Sequence, residues 1–156
     1  MKTIYVDNNA TTQVDESVLA EMLPYFRESY GNPSSMHTFG GQVGVAVDRA
    51  RQQVASLLGC DSAEIVFTSC GTESDSTAIL SALRANPDKR HVVTTRVEHP
   101  AVKNLCENLG SMTGTKYRVT MLKVSEDGLV DFDEYVNALT EDTAIVSIMW
   151  ANNETG

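Results

Sequence analysis

The chain has 156 residues, of which 42% are hydrophobic, with 21 acidic against 12 basic side chains and a formal net charge of −9. That length supports one domain with a sizeable core and is short for two. No window is dense in Lys and Arg, which argues against nucleic acid as a partner, because phosphate-backbone binding depends on clustered cations. The apolar stretches all break well short of the ~20 residues a membrane-spanning helix needs. The start, Met1 to Asp7, lacks the apolar core of a signal peptide. Cys60, Cys70 and Cys106 are odd in number and show no CxxC spacing, which reads as the reduced thiols of a cytoplasmic protein. No metal-ligand set is read.

Ile4-Tyr5-Val6 is a short extended piece before the polar turn Asp7–Thr12. Asp15 then suits the N-cap of a helix running to about Tyr30, with Val18, Leu19, Met22 and Phe26 as its apolar stripe and Pro24 as a bend or break. Gly31-Asn32-Pro33-Ser34-Ser35 reads as a loop. Val43, Val47, Ala50, Val54, Leu57 and Leu58 recur mostly at steps of three and four, one face of a helix that Gly59 stops. Ile65-Val66-Phe67-Thr68 is β-branched and aromatic and predicts a buried strand. The remaining elements alternate: helix Thr72–Ala85, strand His91–Thr95, helix Pro100–Leu109, strand Tyr117–Val124, helix Asp131–Leu139, strand Thr143–Met149. Helices between strands at short connections predict an α/β fold, a mainly parallel sheet with helices on its faces.

In such sheets ligands bind beyond the carboxyl ends of the strands, and three of these ends are polar. Thr68-Ser69-Cys70-Gly71-Thr72-Glu73-Ser74 turns from strand to helix. The free N–H groups of the helix start favour an anion, Gly71 admits close approach, and the Thr72 and Ser74 hydroxyls add donors. The GxxxxGK[ST] pattern of a P-loop is absent. The plainer reading is that Ser69 or Thr72 simply caps the helix. In Glu98-His99-Pro100, proline suits the first helical position, which places His99 at the cap, where it can stack on a flat ligand or move protons near neutral pH; surface polarity alone also explains a loop histidine. His37, in a loop, and His91, opening a strand, are weaker candidates. Asn152 and Asn153 follow the last strand and can donate amide hydrogen bonds to a ligand or simply form a turn. Cys106 shares a helix face with Val102, Leu105 and Leu109 and reads as core packing. Cys70 stands at a helix start that can activate a thiol, but no base adjoins it.

Five segments together resemble the NifS-like cysteine desulfurases, fold-type I enzymes of the class-V aminotransferase family that depend on pyridoxal 5′-phosphate (PLP): Tyr5–Thr12; Gly31–Ser35 with His37 and Gly40; Phe67–Ser74; Glu98–Val102; and Val146–Gly156, which ends in Trp-Ala-Asn-Asn-Glu-Thr-Gly. Gln13, where the family usually has Pro, is a small departure. The resemblance implies that residues 41–156 belong to the PLP-binding large domain and residues 1–40 to an N-terminal arm and small-domain segment. It implies that Gly71 and Thr72 hold the cofactor phosphate. It further implies that His99 stacks on the pyridine ring and takes part in proton transfer, and that Asn153 contacts the phenolic oxygen and the substrate carboxylate region. The implied reaction takes sulfur from L-cysteine, leaving L-alanine and an enzyme persulfide. The sulfur would pass to an iron–sulfur scaffold protein, with nitrogenase maturation as the destination suggested by this branch. The parent enzyme would be a homodimer.

In the family, the Schiff-base lysine, the aspartate facing the pyridine nitrogen, a glutamine near the phenolic oxygen and the persulfide cysteine all follow the Asn-Asn-Glu-Thr-Gly motif. Lys2, Lys89, Lys103, Lys116 and Lys123 stand in none of the corresponding motifs. The chain therefore reads as the N-terminal portion of such an enzyme, inactive alone. Two alternatives stay open: a selenocysteine lyase or another class-V lyase, and a non-catalytic piece that binds a partner chain.

Overall fold

The computed structural model describes residues 3–111 and 116–155. Gly156, the last residue of the Asn-Asn-Glu-Thr-Gly motif, and Lys2 lie outside them. The chain forms two compact units that meet in sequence between Phe67 and Thr68.

In the first unit, α1 (Glu16–Arg27) starts where Asp15 accepts the Ser17 N–H at 2.9 Å. Pro24 lies inside α1, which remains one helix and ends short of the expected Tyr30. Its apolar stripe forms but stays uncovered within the unit: no α1 residue is buried, and Phe26 is 71% exposed. The second helix, α2 (Thr38–Leu58), is capped by His37, whose Nδ1 accepts the Gly40 N–H at 3.1 Å, and is closed by Gly59 at φ 71°. The Asn32 carbonyl lies so close to Gly40 that any Cβ would collide with it. The Gly31–Ser35 loop folds onto the start of α2 only because residue 40 has no side chain.

The segment Ile65–Thr68 departs from expectation. Ile65 is extended (φ −86°, ψ 124°), yet the segment joins no sheet among the described residues, and Val66 is 72% exposed. Its β-branched pattern specifies extended backbone, but a strand also needs a neighbour to pair with. An α2 side chain holds it instead. The Arg51 guanidinium donates to the Ile65 carbonyl and lies 4.8 Å above the Phe67 ring, a cation–π contact.

The second unit contains α3 (Gly71–Ala85), β1 (His91–Thr95), α4 (Pro100–Ser111), β2 (Arg118–Leu122), α5 (Phe132–Ala138) and β3 (Thr143–Ser147). The strands are parallel in the order β2-β1-β3, as the alternation predicts. β1 has the expected bounds; β2 and β3 are shorter than read. The chain steps from β1 to β2 in one direction, then returns past β1 to β3. Right-handed crossovers therefore lay α4 and α5 over opposite faces. Under α3 and α4, Ile79 and Leu83 pack with Val102, Cys106 and Leu109 against Val92 of β1. Cys106 is thus core, as expected, and burial pushes its thiol pKa up to about 11.

His91 is fully buried and ties all three strands together. Its Nδ1 lies 2.9 Å from Thr143 Oγ1 on β3, and its Nε2 lies 2.8 Å from Thr120 Oγ1 on β2. The Thr143 oxygen also accepts the Thr140 N–H at 2.9 Å, and because each threonine hydroxyl can donate or accept, both ring nitrogens are partnered in either neutral tautomer. A neutral imidazole satisfies this network, and its pKa is lowered, first by burial and then by the nearby Arg118 charge, with Asp142 opposing. The weaker candidate of the sequence reading is therefore a structural residue. Because the unfolded chain binds this proton more readily, the His91 contribution to stability is complete above pH ~6.5, is lost as pH falls below that value, and levels off beneath the lowered folded pKa. Urea-unfolding midpoints between pH 7.5 and 5 should show this decline, and His91→Gln should flatten that part of the profile.

Candidate functional site

The reversal of strand order falls between β1 and β3, so a crevice opens beyond their carboxyl ends. Two loops fill it, residues 96–99 after β1 and residues 148–155 after β3. They enclose a cavity of about 470 Å³ lined by Arg96, Glu98, His99, Lys103, Asn153 and Glu154 among others. His99 and Asn153, singled out separately in the sequence, are thus brought to one cavity.

Pro100 opens α4, and His99 caps it: the Ala101 N–H donates to His99 Nδ1 at 3.1 Å. With Nδ1 accepting, the neutral ring carries its proton on Nε2, the atom left for a ligand. The plain capping role and the functional role therefore use different nitrogens of one ring. Asn153 is exposed, while its neighbour Asn152 anchors the loop. The Asn152 Nδ2 donates to the Val97 carbonyl at 2.8 Å, and its Oδ1 accepts the Glu154 and Thr155 N–H groups at 2.8 and 3.0 Å. The turn expected of Asn-Asn-Glu-Thr thus forms, and it is pinned to the β1 loop.

At the start of α3, Cys70 is the N-cap and makes no side-chain capping bond. Ser69 is occupied elsewhere: its N–H and hydroxyl donate to Glu73 Oε2 at 2.7 and 2.6 Å. The Ser74 hydroxyl, expected to serve an anion, lies 2.6 Å from Thr68 Oγ1 and donates to the Cys70 carbonyl at 3.3 Å. Apart from its chain neighbours and the backbone of its own helix, no atom among the described residues lies within 4 Å of where a Gly71 Cβ would stand. The helix start is thus open, with Gly71 and Thr72 in its first turn. The Glu73 N–H is the main group that favours the Cys70 thiolate and lowers its pKa, with the Glu73 charge opposing. Gly71 and Thr72 do not line the cavity that holds His99 and Asn153.

The sequence does not mark Glu98, Arg96 or Lys103 as site residues, and it offers Asn152 as a donor to a ligand rather than as a loop anchor. Lys103 had a legible signal, since it lies four residues after His99 and so one turn along the same face of α4. Glu98 had none, because its partners are distant in sequence. Among the described residues, no cluster of His, Cys, Asp and Glu is arranged to hold a metal ion, and no helix is long and apolar enough to cross a membrane.

The fold is that of an α/β protein with a crevice at the carboxyl edge of a parallel sheet, the place where such folds bind ligands. Residues 4–156 match the model of the aminotransferase class-V family, and the chain belongs to that family. It is 61% identical over 156 residues to "Cysteine desulfurase 2" of Trichormus variabilis and 57% identical over 157 residues to "Cysteine desulfurase NifS" of Azotobacter vinelandii; each match covers 100% of this chain and 38% of the relative. The chain thus spans about two-fifths of the length of these curated relatives. Among solved structures it superposes on a "NIFS-like protein" with a TM-score of 0.86 at 42% identity, covering 94% of this chain and 40% of that one. DndA from Streptomyces lividans gives 0.80 at 34% identity, over 98% of this chain and 42% of that one.

The three thiols should separate in reactivity. Alkylation with iodoacetamide at pH 7.5, followed by peptide mass spectrometry, should modify exposed Cys70 first and buried Cys106 last.

Proposed function

We propose that this chain supplies the phosphate cup and one wall of a PLP site in a cysteine desulfurase. The single observation that carries the reading is the convergence of His99 and Asn153 on one cavity at the strand-order reversal. The residues present fit the cofactor. The start of α3 has no side-chain cap and, apart from chain neighbours and its own helix backbone, no described atom near the Gly71 Cβ position, so its N–H groups and dipole are available to a phosphate. The His99 ring is exposed at the cavity with Nε2 uncommitted. When bound, PLP supplies an electron sink for cleavage next to the substrate amine.

The chain's own residues then have distinct tasks. The N–H groups at Gly71 and Thr72 hold the phosphate. His99 stacks on the ring and holds or moves a proton at Nε2 while Nδ1 stays on the Ala101 N–H. The Asn153 amide orients the phenolic oxygen and the substrate carboxylate region. In the overall reaction the C–S bond of L-cysteine breaks and its carbon takes a proton to give L-alanine. The sulfur passes to an enzyme thiol as a persulfide, for delivery to an iron–sulfur scaffold protein and, in this branch, to nitrogenase maturation. The resemblance places the Schiff-base lysine and the persulfide thiol beyond the matched segments. Lys103 lines the cavity but stands outside the family's lysine motif. We therefore assign no cysteine turnover to these 156 residues by themselves. The same reading assigns residues 1–40 to an arm and small-domain segment and residues 41–156 to the large domain of a cytoplasmic homodimer. The uncovered α1 stripe and the unpaired Ile65–Thr68 segment support a larger assembly.

Titration of the full chain with PLP, followed by absorbance, should show saturable binding. His99→Ala and Asn153→Ala should each weaken it roughly 10- to 100-fold, the scale on which misplaced site groups act. Pyridoxal without its phosphate should bind far more weakly. Saturation by pyridoxal as tight as by PLP would remove the phosphate cup, and unchanged binding in both variants would remove the reading.

A further inference from the structure

Resting on that PLP reading, we propose that Glu98 and Asn152 form a reciprocal clasp that fixes the separation of His99 and Asn153, making them positioning residues for the site. Glu98 is only 7% exposed, although it lies in a loop between a strand and a helix. A carboxylate in such a place is costly unless its oxygens are partnered. Here one oxygen, Oε1, accepts two bonds: from the Thr95 hydroxyl at 3.0 Å and from the Met149 N–H at 2.9 Å. Thr95 ends β1, and Met149 lies just beyond β3. The return link runs the other way. Asn152, in the β3 loop, donates to the Val97 carbonyl in the β1 loop at 2.8 Å, and it also accepts the Glu154 and Thr155 N–H groups. Each loop therefore sends one side chain into the other. Each of these side chains immediately adjoins a residue assigned to the cofactor, Glu98 beside His99 and Asn152 beside Asn153. Neither loop belongs to a strand or helix at these positions, so the sheet alone does not set their spacing.

A purely local role and a clasp differ in what they predict across the crevice. Glu98→Ala removes the acceptor of the Met149 N–H directly. A clasp requires that the Glu154 and Thr155 amides also lose protection, although their own acceptor, Asn152, is intact. Hydrogen exchange on the full chain reads this without any cofactor. The expected result is that these two amides exchange roughly five- to tenfold faster in Glu98→Ala, about the factor one lost hydrogen bond corresponds to, and that Asn152→Ala speeds Met149 likewise. Glu98→Gln keeps an acceptor at Oε1 and should restore wild-type protection. In PLP titrations, Glu98→Ala and Asn152→Ala should each weaken binding about tenfold or more. The double variant should be no weaker than either single one, as for groups that act as a unit. Loss of protection confined to Met149, Glu98→Gln behaving like Glu98→Ala, or independent effects that multiply in the double variant would each overturn the clasp. If Glu98→Ala does not fold, Asn152→Ala and Glu98→Gln carry the same comparison. Cross-loop loss of protection combined with wild-type PLP binding in His99→Ala and Asn153→Ala would support the clasp while removing the cofactor reading beneath it.

Discussion

A parallel strand with a neighbour on each side is covered on both faces, because each right-handed crossover lays a helix over one of them. β1 meets this condition at all five positions, His91–Thr95, each of them buried. Apolar residues alone do not fill it. Val92 and Val93 do so by packing, whereas His91 does so with both ring nitrogens bonded to threonines of the flanking strands. At the amino end of the sheet, then, polar side chains tie the strands together. At the carboxyl end Glu98 and Asn152 have the same task between loops. The apolar middle of β1 lies between two polar crosslinks, of which only the carboxyl one adjoins the crevice.

This arrangement explains why the candidate site is built from loops and still has definite geometry. Loops position groups loosely unless their own backbone polar atoms are bonded. Here the Val97 carbonyl and the Met149, Glu154 and Thr155 N–H groups are all taken by two side chains. His99 is held by a different device, the cap of α4 through Nδ1. A capping histidine is usually read as an alternative to a functional one. In this ring the cap fixes the tautomer, and the other nitrogen is thereby the one that carries the proton.

The sequence was most legible where a local pattern and its tertiary setting agree. The bounds of β1 follow from its β-branched run, the start of α4 from Pro100, and the end of α2 from Gly59. The clearest departure is the buried strand expected at Ile65–Thr68, which joins no sheet among the described residues. Ile65–Thr68 and the α1 stripe Val18, Leu19, Met22 and Phe26 have the chemistry of buried elements, but burial depends on what lies opposite, and a local pattern carries no information about that. The role of Glu98 and the tie from Asn152 to Val97 were missed for the complementary reason. The partners of these two side chains lie 51 and 55 residues away, so they look like an ordinary loop acid and an ordinary turn residue. Gly71 and Thr72 were legible as an open helix start, but their distance from His99 in space was not.

The charge balance of the chain bears on this site only through its local distribution. A net charge of −9 suggests a chain that repels anions, yet exposed charges are largely screened beyond about 8–10 Å at physiological salt. What an anionic ligand meets is the immediate wall. At the cavity Arg96 and Lys103 stand with Glu98 and Glu154, so the local balance is near even, and the Glu98 charge is partly spent on the Thr95 and Met149 donors. At α3 the nearest acid, Glu73, is drawn onto Ser69, which lowers its pKa. There its charge is met by two donors, while the N–H groups at Gly71 and Thr72 stay in the helix opening. An acidic chain can thus present two anion-tolerant surfaces without clustered cations, because hydrogen-bond donors hold its nearby carboxylates in place.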